Sequence, residues 1–239
     1  MTTSVDYTHT PERSRAEQRA PEPTIAPPRA LQKYAVELIG TFFLVFTVGA
    51  TVIGGSVSAP LAIGATLMVM VYAGGHISGG HYNPAVSTAA LVRGRITPRD
   101  AVGYWIAQLA GGLIAAAAVA GVLHGAQPRA GALSGNALIV ALVVEMLFTF
   151  ALCYVVLNVA TSKDHPDNSF YGLAIGFTVV AGAFAVGGIS GAAFNPAVTL
   201  GGAVLGLFAW STLVLYAEAQ VIAGGAAGLA FRALNPGDR

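Results

Sequence analysis

The sequence predicts an all-α membrane protein of six transmembrane helices plus two re-entrant half-helices, arranged as an inverted 3+3 repeat. Three observations carry that prediction. The 55 residues between Glu37 and Arg93, and the 50 between Asp167 and Glu218, hold no formal charge. Charged residues make up 10% of the chain and apolar ones 55%, whereas a soluble domain carries about 25% charged residues. Three blocks of sequence recur in the same order at nearly constant spacing. A spanning helix takes about 20 apolar residues, so the charge-poor region has room for about six.

Residues 1–32 read as a disordered cytoplasmic tail. Through Lys33 the chain carries five basic residues, four acidic ones and five prolines, and it lacks the early apolar run of a secretory signal. A channel domain follows over 33–232, with repeat one at 33–123 and repeat two at 136–232, then a short cytoplasmic tail over 233–239. The long apolar segments run approximately from Tyr34 to Ile53, Pro60 to Ala73, Asp100 to Leu123, Asn136 to Ala160, Phe170 to Val186 and Ala209 to Phe231. All six are predicted helical, since helix is the only open architecture that satisfies its own backbone in lipid. The stretches Asn83 to Val92 and Asn195 to Leu205 are too short to span. Each follows a Gly-rich approach, Gly74 to Gly80 or Gly187 to Gly191, that is expected to be non-helical at membrane depth. Such backbone is tolerated only when buried in protein or lining a water-filled cavity.

Basic residues set the orientation. With both termini cytoplasmic, 11 of the 12 Lys and Arg residues fall on one side and only Arg129 on the other. That balance holds only if each short Asn-Pro-Ala segment enters and leaves by the same face.

The repeat is specific. Ile77-Ser78-Gly79 through Asn83-Pro84-Ala85-Val86 recurs as Ile189-Ser190-Gly191 through Asn195-Pro196-Ala197-Val198, at an offset of 112. Tyr104, Ala107, Gln108 and Gly112 recur at the same offset as Tyr216, Ala219, Gln220 and Gly224. Glu37-x-x-x-Thr41-Phe42 recurs as Glu145-x-x-x-Thr149-Phe150, at 108. Each unit holds three spans, an odd number, so the second lies upside down relative to the first. Inverted repeats place the working site near the midplane between them.

Asn-Pro-Ala alone says little, because Asn is a good N-cap and Pro is at home in the first turn. Two copies in mirrored positions say more. Inversion brings both half-helix N-termini to the bilayer centre, each with roughly half a positive charge. The amides of Asn83 and Asn195 can then point into one space.

With these motifs the chain resembles the aquaporin, or major intrinsic protein, family over about residues 33–232. The resemblance implies a passive channel for water and small uncharged solutes, one pore per protomer, a homotetramer in the plasma or inner membrane, and no cofactor. It makes Asn83, Pro84, Ala85, Asn195, Pro196 and Ala197 the pore boxes. It also implies a four-residue filter on the extracellular side, placed by counting from the two asparagines at Ile63, Ala183, Ala192 and Val198. Most members carry Arg directly after the second box, and here that residue is Val198. Some plant tonoplast members share the valine. A wholly apolar ring with two alanines is expected to admit solutes larger than water, such as urea, glycerol, hydrogen peroxide or metalloid hydroxides. The competing outcome is an apolar ring that dewets and conducts poorly.

Glu37 and Glu145 are intramembrane acids, and an unpaired charge at a helix centre costs about 2.5–3.5 kcal/mol on insertion scales. Either they anchor their own re-entrant loops by accepting backbone hydrogen bonds, or they couple protons in a secondary transporter, the alternative function. Glu218 has Ile106 as its repeat-mate and no evident role. His76 reads as a residue of the cytoplasmic mouth or a structural hydrogen-bonding group, Tyr82 and Phe194 as packing, and His165 and Asp167, in the cytoplasmic Thr161 to Ser169 loop, as members of a solvated loop in preference to gating groups. Other classes are excluded by composition. Net charge is +1 without a basic cluster for nucleic acid, and Cys153 is the only cysteine, so neither a disulfide framework nor a thiolate metal site is available. Nucleophile-elbow, zincin and P-loop signatures are absent from the sequence, so no enzyme is predicted.

Overall fold

The computed structural model describes residues 28–123 and 129–238. It contains eight helices among those residues: α1 (Ala30–Ile53), α2 (Ala59–Ser78), α3 (Pro84–Arg93), α4 (Pro98–Val122), α5 (Gly135–Thr161), α6 (Tyr171–Ser190), α7 (Pro196–Val204) and α8 (Trp210–Leu234). Six of them, 20 to 27 residues long, are long and apolar enough to cross a membrane. The other two, α3 and α7, have 10 and 9 residues and reach only about 15 Å at 1.5 Å per residue. Each starts with Pro in its first turn behind an Asn cap.

The inverted repeat is visible in the packing. Helix α1 lies against α4 as α5 lies against α8, and α2 crosses α6 on the axis relating the halves. That crossing is made by Gly64 and Gly176, themselves 112 positions apart. A Cβ on either would overlap the other's carbonyl oxygen, so the backbones meet directly, as small residues permit in membrane bundles. The half-helices are seated by a second glycine pair. Gly112 of α4 abuts the carbonyl of Ala197, and Gly224 of α8 abuts that of Ala85, so each repeat holds the other's short helix.

Three boundaries differ from the sequence expectation. Most of the tail, residues 1–27, lies outside the described residues, but α1 begins at Ala30, inside the stretch read as disordered. Its first turn is closed by Arg29 N–H donating to Gln32 Oε1 at 2.7 Å, and Lys33 pairs with Asp100 at 3.3 Å. The Gly-rich approaches are mostly helical. Helix α2 continues to Ser78 and α6 to Ser190, each ended by a left-handed glycine, Gly79 (φ 92) and Gly191 (φ 85). Leaving backbone unpaired in lipid costs more than the poor helix propensity of glycine, about 1 kcal/mol per residue. Only 79–83 and 191–195 are left as irregular links. Finally, residues 235–238, read as part of a short cytoplasmic tail, fold back onto the bundle and bury Asp238.

Candidate functional site: a pore between two half-helices

Each irregular link turns sharply and carries backbone in the left-handed region. Gly80 and Tyr82 have φ of 63 and 49, and Ala192 and Phe194 have φ of 51 and 49. The non-glycine positions cost about 1–2 kcal/mol each, so something must hold them. In repeat one it is Glu37, fully buried on α1. Its Oε1 accepts from Ser78 Oγ (2.7 Å) and His81 N (2.9 Å), and its Oε2 from Tyr82 N (2.6 Å) and Gln108 Nε2 (2.8 Å). Glu145 does the same in repeat two, accepting from Ser190 Oγ, Ala193 N, Phe194 N and Gln220 Nε2 at 2.7 to 2.9 Å. Hydrogen bonds to a charged group contribute about 1.5–3 kcal/mol each, enough to offset both the burial of the carboxylate and the strained backbone.

This arrangement also explains the second recurring block, whose purpose the sequence did not reveal. Gln108 and Gln220 complete the carboxylate shells. Tyr104 and Tyr216 donate to the last helical carbonyls, Ser78 O (2.6 Å) and Ser190 O (3.0 Å).

With the link N–H groups turned onto Ser78, Ser190 and the two glutamates, the link carbonyls are left for the other side. Those of Gly79, Gly80, His81, Gly191, Ala192 and Ala193 accept from no donor among the described residues. The carbonyls of Tyr82 and Phe194 are used differently. Asn195 Nδ2 donates to Tyr82 O, and Asn83 Nδ2 to Phe194 O, both at 2.9 Å. Each Asn Oδ1 meanwhile accepts from its own helix, from Ala85 N (2.8 Å) or Ala197 N (2.9 Å). An amide NH2 has two hydrogens, so each asparagine retains one N–H.

Both asparagines border a cavity of about 210 Å³ that also touches Ile63, Ala183, Ala192 and Val198. The four positions obtained by counting therefore share one wall system with the two boxes. Among the described residues, His81 supplies the only polar side chain of the cavity apart from Asn83 and Asn195, and no charged side chain borders it. His81 is held by Nδ1 against Ser87 Oγ at 3.0 Å. Pro84, Ala85, Pro196 and Ala197 are buried behind the asparagines as the first turns of α3 and α7. Glu37 and Glu145 do not border the cavity. Tyr82 and Phe194 are buried as expected, with their carbonyls adding the cross-repeat bonds. A hollow at the end of the bundle carrying Lys33, Arg95 and Lys163 brings His76 beside His165, Asp167, Asn168 and Tyr171. Glu218 is exposed on the outer face of α8 and Cys153 is buried inside the bundle.

Two inverted half-helices meeting nose to nose inside six spans, with both cap asparagines bordering one apolar cavity, define a membrane channel. The chain belongs to the major intrinsic protein family, whose model matches residues 28–231. It is 41% identical over 184 residues to the glycerol uptake facilitator protein-like 6 of Lactiplantibacillus plantarum, covering 73% of this chain and 84% of that one. It is 38% identical over 224 residues to a probable TIP-type aquaporin of Medicago truncatula, covering 87% and 88%. Among solved structures, the aquaglyceroporin from Plasmodium falciparum superposes with a TM-score of 0.69 at 22% identity, over 87% of this chain and 96% of that one. That likeness concerns the fold.

Proposed function

We propose that this channel conducts water together with larger uncharged solutes, through a constriction formed by Ile63, Ala183, Ala192 and Val198. Passive conduction of water and small neutral solutes, without enzymatic chemistry, is the activity of its family. The wider selectivity is our own reading, and it rests on Val198. This residue follows the second box, borders the cavity shared with Asn83 and Asn195, and is 5% exposed. A valine there brings neither the bulk nor the five donors and fixed charge of a guanidinium. The two half-helix N-termini still present positive ends to the lumen, which opposes cations. The carbonyls of the links offer acceptors to solutes rich in O–H or N–H groups, which fits urea, glycerol and related molecules. The naming of one relative as a glycerol uptake facilitator agrees with this.

The same reading places the protein in the cell membrane as a homotetramer, with the end bearing most of the Lys and Arg residues in the cytoplasm. Secondary transport through Glu37 and Glu145 is disfavoured. Both carboxylates are saturated with hydrogen bonds and stand off the lumen. Reconstitution into liposomes tests the function. Osmotic shrinkage and glycerol-driven reswelling should proceed with a low activation energy and no ion gradient. A strict requirement for a proton or sodium gradient would contradict the proposal.

A further inference from the structure

The inverted repeat is broken at one buried position. Arg93 ends the half-helix α3, and its repeat-mate at the offset of 112 is Leu205. Leu205 is 1% exposed and packs with Val119 and Ala116. The Arg93 side chain is equally buried, at 1%, yet carries a charge. Phe231, the repeat-mate of Val119, lies under its guanidinium at 4.2 Å from the ring centre. An apolar contact in one repeat has thus become a cation–π contact in the other, and the charge needs a counter-ion.

That counter-ion is Asp238, beyond the end of α8. Its Oδ1 accepts from Arg93 Nη2 at 2.7 Å and its backbone carbonyl from Arg93 Nη1 at 2.8 Å. Its Oδ2 accepts the backbone N–H of Lys163 at 2.8 Å, at the start of the loop between α5 and α6. Arg95 Nη2 and Lys163 Nζ stand 3.9 and 3.7 Å from Oδ1. Arg93 and Arg95 also donate to the carbonyl of Thr161, the last residue of α5. One carboxylate therefore joins three segments: the C-terminal end of α3, the 162–169 loop and the 235–238 turn. The loop carries His165 and Asn168 into the hollow beside His76 at that end of the bundle. At the other end of α3, ten residues away, is Asn83.

We infer that Asp238 is a positioning residue for conduction, a latch that fixes the 162–169 loop at the pore mouth and the half-helix bearing Asn83. The inference rests on the channel reading. With Asp238 in place, the loop lies back against the end of α5, where Asn168 Nδ2 donates to Val159 O at 3.0 Å. Without it, the Lys163 N–H loses the Asp238 carboxylate, the start of the loop is no longer tied to Arg93 and α3, and entering solutes wait on the loop's motion at the mouth. Glycerol, the larger permeant, is slowed more than water.

The test is stopped-flow light scattering on proteoliposomes at matched protein density, with sucrose for water flux and glycerol for solute flux. Asp238→Ala should lower glycerol permeability per channel at least about threefold, more than it lowers water, and raise the activation energy, as mobile loops do when they limit a step. Asp238→Glu should restore both. Since Asp238→Ala orphans a buried cation, the double variant Arg93→Leu with Asp238→Ala removes the charge as well and installs the repeat-mate's side chain. It should fold yet keep the lowered glycerol-to-water ratio. Wild-type ratio and activation energy in that folded double variant would overturn the latch. A wild-type protein that passes neither permeant would instead overturn the channel reading on which the latch depends.

Discussion

Asn83 and Phe194, 111 positions apart in the chain, are joined at the centre of the bundle by a hydrogen bond from the Asn83 amide to the Phe194 carbonyl at 2.9 Å. Asn195 and Tyr82 repeat the bond with the halves exchanged. The two half-helices are therefore fastened to one another and not merely brought near. A single residue type serves two ends, its oxygen capping a helix and one amide hydrogen holding the opposite repeat, and its second amide hydrogen is left without an acceptor among the described residues.

Aspartate at either position keeps the cap and loses both donors. Its second oxygen would face the carbonyl of Phe194 or Tyr82. We expect Asn83→Asp and Asn195→Asp each to lower stability by about 1–3 kcal/mol and to weaken the exclusion of cations. Thermal unfolding in detergent and ion leak in liposomes measure the two effects. Wild-type values for both would mean that the asparagines act only as caps.

Glu37→Gln and Glu145→Gln replace one acceptor oxygen by an NH2 facing donors such as Tyr82 N or Phe194 N. Each orphaned donor costs about 1–3 kcal/mol, so melting temperatures should fall markedly. Flux through the protein that remains folded should still need no ion gradient. Loss of a proton-driven step in a fully stable variant would instead favour coupling.

Gly64→Ala and Gly176→Ala place a methyl group against a backbone carbonyl across the α2–α6 crossing. Helices that must part lose packing over their whole contact, and overpacking of this kind costs about 1–3 kcal/mol. Either variant should unfold at a lower temperature in detergent, while Gly121→Ala, which meets nothing nearby, should not.

The sequence made the pore legible because its chemistry is written in residue identities that recur: Asn83 with Asn195, Glu37 with Glu145, Gln108 with Gln220. Counting from the asparagines reached four residues that line the same cavity as Asn83 and Asn195. The helix ends were less legible. Gly74, Gly75, Gly187 and Gly188 read as breakers. Yet Gly74 lies inside α2 where the Tyr82 hydroxyl and Val36 leave no room for a side chain. Tertiary approach, which no local propensity records, decided its use. The Asp238 latch was hidden for a similar reason. Asn235-Pro236-Gly237-Asp238 looks like any polar tail, and the one available signal was Arg93 standing where the repeat has leucine.

Acid pH should expose that latch. The Lys163 N–H, followed by the Arg93 guanidinium, holds the Asp238 carboxyl below its ordinary range, against the opposing effect of burial. A folded-state value below the unfolded one gives stability that is complete above the unfolded value and lost as pH falls through the folded one. Asp238 should therefore contribute nothing to the pH dependence near neutrality, and its stabilisation should disappear only below about pH 4. Comparing melting temperature against pH for wild type and Asp238→Asn reads this out. The difference between them should be constant from neutral pH down to about pH 5 and shrink below about pH 4.

The central claim is that the lumen is wide and apolar at Ile63, Ala183, Ala192 and Val198, and the most direct measurement of it is the glycerol-to-water permeability ratio of Val198→Arg against wild type. Arginine would fill the space left by valine and the two alanines and add a charge and five donors to a ring that has none. Stopped-flow light scattering at matched protein density should show both fluxes reduced and the ratio lower in the variant, glycerol being cut more than water. A ratio that is unchanged or higher with arginine would contradict the account, since position 198 would then lie outside the constriction.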